Sequence, residues 1–100
     1  MRIVAHKNLK EFWTRHPQSR AALRHWNDVV LAADWQMPAD ALRQFSKAKI
    51  LNGERIRFEI EGGNFRLIAA FDFRRQVAYV KFVGTHGEYD RIDPFTVSQF

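Results

Sequence analysis

The sequence contains no cysteine. Disulfides, thiolate metal centres and cysteine nucleophiles are therefore excluded. It has no long apolar run and no basic amphipathic helix with an apolar anchor, so nothing in it reads as a membrane segment. The opening residues Met1-Arg2-Ile3-Val4-Ala5 lack the extended apolar core of a signal peptide, and the cytoplasm is the expected location. Repeats, linkers and low-complexity stretches are absent, as are a phosphate-cradling glycine loop and a serine-nucleophile motif. Acid is scarce relative to base: 11 Asp and Glu stand against 16 Lys and Arg, giving a net charge of +5 and a pI of about 10.1. A small basic domain attracts polyanions before any specific contact forms, and nucleic acid is the commonest of these.

What is present is a globular composition. The 100 residues, 46% hydrophobic and 27% charged, suit one domain spanning 1–100. A chain this short has little margin for stability, so large side chains must fill its core. Three Trp and nine Phe supply that volume.

Periodicity divides the chain in two. Arg2 to Ala5 reads as a short strand. Leu9, Phe12 and Trp13 then fall on one face of a helix. Pro17 suits the first turn of a second helix, predicted over Gln18 to Ala33 with Leu23, Trp26, Val30 and Ala33 as its apolar stripe. Pro38 opens a third, reaching Phe45. Beyond residue 48 the period becomes two. Ala48 to Leu51 reads as a strand closed by a turn at Asn52-Gly53. Between Arg55 and Glu61, Ile56, Phe58 and Ile60 face one way while Arg55, Arg57, Glu59 and Glu61 face the other. Gly62-Gly63 marks a hairpin, Phe65 to Phe73 the return strand, and Val77 to Val83 the last strand. Helices first and an antiparallel meander second predict an α+β domain, with the N-terminal helices packed on an antiparallel sheet. The exposed sheet face would carry Arg55, Arg57, Arg66 and Lys81, unless a bulge reverses the alternation.

Several residues can carry chemistry. His86 stands between two glycines in a polar segment after an apolar strand, where an imidazole can approach a substrate as general acid or base; it can also simply cap the turn. Tyr89 can stack on a base or pack internally. Asp90 can orient His86 or pair with Arg91. Arg66, inside a mostly apolar strand, needs an anion: a phosphate, or Glu59 or Glu61 on the neighbouring strand. Lys81 interrupts the last strand and can snorkel along its edge. Glu59, Glu61, Asp72, Glu88, Asp90 and Asp93 are flanked by base and form no tight triplet, which argues against a two-metal nuclease.

The run Arg55-Ile56-Arg57-Phe58-Glu59-Ile60-Glu61-Gly62-Gly63-Asn64-Phe65-Arg66-Leu67-Ile68 resembles the central hairpin of the HigB toxin family. Val83-Gly84-Thr85-His86-Gly87-Glu88-Tyr89-Asp90-Arg91-Ile92 resembles that family's closing motif, and Trp26, Trp35 and Pro38 fall in the family's order. The resemblance implies a RelE-like fold and the toxin of a type II toxin–antitoxin pair. Such toxins cleave messenger RNA, usually on the translating ribosome, and are held by an antitoxin that is typically a helix-turn-helix protein. Arg55, Asn64, Arg66, His86, Tyr89 and Asp90 match the family's pattern, whereas Arg57 stands where members often carry an apolar residue.

The chemistry then expected is metal-independent: the ribose 2′-OH attacks the adjacent phosphate, and no cofactor is needed. His86 is the expected general acid or base. Arg66, assisted by Lys81, would stabilise the charge building on phosphorus. Tyr89 would position a base or share in proton transfer. Arg55, Arg57, Asn64 and Lys7 are the expected RNA contacts. Two competing readings are a non-catalytic RNA- or ribosome-binding module and a protein-interaction partner whose basic face meets only an acidic protein.

Overall fold

Alternation in the second half of the chain builds the sheet, and helical periodicity in the first half builds the layer of helices. The computed structural model describes residues 1–100. In chain order its elements are β1 (Arg2–Val4), α1 (His6–Arg15), a 3-10 turn (Pro17–Ser19), α2 (Arg20–Ala32), α3 (Pro38–Leu42), β2 (Lys49–Ile50), β3 (Arg55–Ile60), β4 (Phe65–Asp72), β5 (Val77–Thr85) and α4 (His86–Tyr89).

The five strands lie in the order β1-β5-β4-β3-β2. Strands β2 to β5 form the expected antiparallel meander. The sheet as a whole is mixed, however, because β1 joins the free edge of β5 in parallel, Ile3 opposite Ala78. Three residues carry too little pattern to announce that pairing. Two helix boundaries also move. Pro17 opens a 3-10 turn rather than α2 itself, with the buried Ser19 hydroxyl donating to the His16 carbonyl at 2.7 Å. The segment predicted to run to Phe45 leaves helical geometry after Leu42, although the Phe45 amide still donates to the Ala41 carbonyl and keeps its ring over the core.

One cluster holds the core. Leu9 and Phe12 from α1, Leu23, Trp26 and Val30 from α2, Ile56, Phe58 and Ile60 from β3, and Phe65, Leu67, Ala69 and Phe71 from β4 are all buried in it. Its centre is aromatic. The Phe58 ring meets Trp26, Phe45 and Phe71 edge-on, at centroid separations of 5.5, 5.2 and 6.2 Å. Such edge-to-face pairs add to the area that each ring buries.

A β-bulge interrupts the β4–β5 ladder. Ile68 pairs with Phe82 and its neighbour Ala69 with Val80, which leaves Lys81 as an extra residue on β5. Val80 and Val83 both enter the core, while Phe82 turns to the opposite face beside Ile68. That face is covered in part by the chain itself. Arg55, 9% exposed, donates through Nη1 to the carbonyls of Pro94 at 3.1 Å and Val97 at 2.8 Å. Gln99 then closes the edge of β5, donating its amide to the Lys81 carbonyl at 2.9 Å and accepting the Val83 amide on its side chain at 3.0 Å.

Phe58→Ala should cost about 3–5 kcal/mol, because the surrounding rings cannot close the hole that it leaves. Urea unfolding of the variant beside the parent measures this loss, and a shift within the error of the midpoint would show that the cluster is not the centre of the core.

Candidate active site

The tip of the β3–β4 hairpin and the start of α4 meet at one end of the sheet. Glu61 (φ 52°), Gly62 (φ 64°) and Gly63 (φ 91°) turn the chain through the left-handed region. A Cβ at 63 would also lie 3.0 Å from Oε1 of Glu59, so the carboxylate would have to shift to admit it. Across the tip, the His86 amide donates to the Asn64 carbonyl at 3.0 Å and fastens α4 to the hairpin. Thr85 caps α4 reciprocally with Glu88. The Thr85 hydroxyl accepts the Glu88 amide at 3.1 Å, and the Glu88 carboxylate accepts the Thr85 amide at 2.8 Å. This capping box holds a helix of only four residues in a fixed place.

On the sheet face away from the core, one carboxylate sits between two guanidinium groups. Glu59 stands opposite Arg66 in the β3–β4 register, and Arg57 precedes it by two on the same strand. Glu59 Oε2 lies 3.3 Å from Arg57 Nη2 and 4.0 Å from Arg66 Nη1. Arg57 also donates to the Lys47 carbonyl at 3.2 Å, while its Nε is buried without a partner. Arg66 is held on three sides: Nε donates to the Gly63 carbonyl at 3.3 Å, Glu59 lies beside it, and the guanidinium carbon lies 5.5 Å from the Tyr89 ring centre. Tyr89 leans in turn on Phe82, 6.2 Å away. The guanidinium is thus oriented while terminal N–H groups remain for an anion.

His86 opens α4 beside the hairpin tip. Its Nδ1 lies 3.1 Å from Asp90 Oδ2, one helical turn on, and the ring is 54% exposed. A carboxylate on Nδ1 orients the ring and leaves Nε2 available for proton transfer.

Of the residues expected from sequence, the structure brings together His86, Tyr89, Asp90, Arg66, Arg57 and Asn64. Asn64 is exposed at the hairpin tip and donates to the Glu61 carboxylate. Three others lie elsewhere. Lys81 occupies the bulge and folds back along β5, its Nζ 5.8 Å from the Tyr79 ring centre. Lys7 is exposed on α1. Arg55 is buried, and its Nη1 is bonded to the carbonyls of the C-terminal segment, so it anchors that segment instead of facing solvent. No group of three or more His, Asp or Glu side chains is placed to hold a metal ion.

Sequence reasoning left Glu59 as one possible partner of Arg66 and missed the shared position that it occupies. It also missed the capping box, although Thr85-His86-Gly87-Glu88 carries the Thr-x-x-Glu signal in plain view. The roles of Phe82 and Gly84 were not visible, because they depend on the bulge.

The family model of the HigB toxin, the RelE-like toxic component of a toxin–antitoxin system, matches residues 19–92. No curated protein matches the chain. The matched segment includes both halves of the hairpin and all of α4, and so every residue of the group around Arg66 and His86. The chain belongs to the HigB toxin family and is the toxic component of a toxin–antitoxin pair, with an antitoxin as its partner.

A substitution at Gly84 tests how tightly the site is built. A Cβ there would lie 2.6 Å from Phe82 Cζ and 3.2 Å from Glu88 Oε1, striking both the ring that supports Tyr89 and the capping carboxylate. Gly84→Ala should lower stability by about 1–3 kcal/mol through overpacking. Thermal unfolding should show the loss, and an unchanged melting curve would mean that the Phe82–Tyr89 support is loose.

Proposed function

We propose that this HigB-family toxin is a metal-independent endoribonuclease that cleaves messenger RNA on the translating ribosome. The observation that carries the reading is the pairing of an exposed His86, oriented by Asp90 at 3.1 Å, with an Arg66 preset by Glu59, Gly63 and Tyr89 at the same end of the sheet. Cleavage of RNA by its own 2′-hydroxyl needs a proton acceptor, a proton donor and a cation at phosphorus, all at fixed positions.

The 2′-oxygen attacks the adjacent phosphorus and gives up its proton, the bond from phosphorus to the 5′-oxygen breaks, and a cyclic phosphate remains. His86 moves protons through Nε2, as base toward the 2′-hydroxyl or as acid toward the leaving oxygen. Arg66 takes up the charge that grows on the phosphoryl oxygens. Tyr89 stacks beneath the Arg66 guanidinium and offers its hydroxyl and ring edge to the nucleotide. Arg57 and Asn64 contact the RNA backbone on either side. Lys81 and Lys7 add positive field at greater distance, and Arg55 acts through the segment that it anchors. The antitoxin partner is of the helix-turn-helix type, and the toxin works in the cytoplasm, where translated messenger RNA is found.

His86→Ala should abolish growth arrest in cells lacking the antitoxin and lower cleavage by about 10²–10⁴-fold, the range for losing a general acid or base. Because the ring is exposed, thermal unfolding should stay close to that of the parent. A stable and fully toxic His86→Ala would overturn the assignment. A stable variant that is inert only because RNA no longer binds would favour the non-catalytic module.

A substrate carrying 2′-deoxyribose at the cut site should resist cleavage altogether. The assay uses a minimal RNA with chelator present, and cutting of the deoxy substrate would reveal water as the nucleophile. RNA affinity should also fall with salt, by roughly 0.7 log units per log unit of salt for each phosphate neutralised, and Arg66→Ala should flatten that slope.

A further inference from the structure

The largest polar groove of the molecule lies outside the site just described, on the two long helices. His6, Lys10 and Trp13 recur at spacings of four and three on α1. Arg20, Arg24 and Asn27 do the same on α2. Those spacings place each set on one helical face, offset from the faces that carry Leu9 and Phe12, or Leu23, Trp26 and Val30, into the core. Between the two sets opens a cleft of about 360 Å³.

Its lining sets three cations, Lys10, Arg20 and Arg24, against one acid, Asp28. Lys10, Arg20 and Arg24 are all exposed, and the ion pairs of the structure leave all three out. Three like charges beside a single acid that forms an ion pair with none of them leave a net positive groove, which is the condition under which an acidic partner gains most. The floor is fixed: His6 Nδ1 lies 2.9 Å from the Oδ1 of Asn27, itself only 8% exposed, and the Trp13 ring stands edge-on to His6 at 5.9 Å.

We infer that this groove docks an acidic peptide segment of a protein partner. Three features favour a peptide over an RNA backbone. Asp28 lies in the lining beside the cations and would repel an unbroken run of phosphates, whereas it can accept a peptide Lys or backbone N–H. The cleft takes a few side chains, not a duplex. The fixed imidazole–amide pair and the Trp13 ring offer hydrogen-bonding and apolar contacts of the kind that protein side chains use. The groove opens on the helices, away from the sheet face that bears Arg66, so an occupant there need not compete with substrate. The inference does not depend on the ribonuclease reading.

The test is amide chemical-shift mapping on the full chain, titrated with a short glutamate-rich peptide carrying one lysine. A single-stranded oligoribonucleotide of equal charge is titrated in parallel. The peptide should move the signals of Lys10, Trp13, Arg20, Arg24 and Asn27. Arg24→Glu should weaken it by at least about tenfold, as expected for reversing a charge at an interface. Asp28→Asn should tighten a peptide of glutamates alone, and Arg66→Ala should leave binding unchanged. Arg20→Ala, a milder change at another exposed position, decides the matter if Arg24→Glu lowers the melting temperature. Absence of peptide binding, binding indifferent to Arg24 and Arg20, or preferential movement of the groove signals by the oligoribonucleotide would each overturn the inference.

Discussion

One extra residue on β5 sets the geometry on which the site depends. Without the bulge at Lys81, strict alternation from Val80 would send Phe82 into the core and Val83 out of it. Arg66 would then face a valine. With the bulge, Val80 and Val83 both reach the core, Phe82 packs on the opposite face, and Gly84 comes to lie across from Arg66. Glycine at that position leaves the space that the Phe82 ring fills, and Phe82 supports the tyrosine on which Arg66 rests. A bulge thus re-aims a strand end so that the next residues form a site, the use to which bulges beside functional centres are commonly put.

The same end of the sheet shows how a small fold keeps cations apart from solvent without discharging them. Arg57 and Arg66 would repel each other across the β3–β4 ladder, and Glu59 between them removes that cost. It does so unequally. Arg57 lies 3.3 Å from the carboxylate and donates as well to the Lys47 carbonyl, whereas Arg66 stands at 4.0 Å with only its Nε bonded. The carboxylate therefore absorbs Arg57 and orients Arg66. An arginine so placed needs little reorganisation to meet a phosphate, which is where preset charge is most effective.

Much of this was legible because it follows from side-chain period and turn chemistry. The alternation of Ile56, Phe58 and Ile60 against Arg55, Arg57 and Glu59 predicted the faces of β3, and Gly62-Gly63 predicted the hairpin. The stripe of Leu23, Trp26 and Val30 predicted the buried face of α2. What escaped the sequence lacks periodicity. The parallel docking of β1 rests on three residues paired to a distant edge. The C-terminal segment is held by the Arg55 guanidinium on backbone carbonyls and by Gln99 on a strand edge, contacts that any sequence with those carbonyls could accept. Arg55 matched a family pattern and lay on the predicted face, yet only the return of the chain across that face reveals what it bonds to.

Two cationic surfaces on so small a chain make different demands. Around Arg66, each charge has an internal partner or a ring beneath it, and the group is largely withdrawn from water. Between α1 and α2, Lys10, Arg20 and Arg24 are exposed and unpaired. A withdrawn, oriented cation gives geometric control over one reacting group, whereas an exposed, unpaired set gives attraction and rate of encounter. The net charge of +5 is therefore not one property. Part of it is paired and oriented at the hairpin end, and part is left open on the helices, and substitutions that lower the total equally would have unequal consequences according to the surface that they touch.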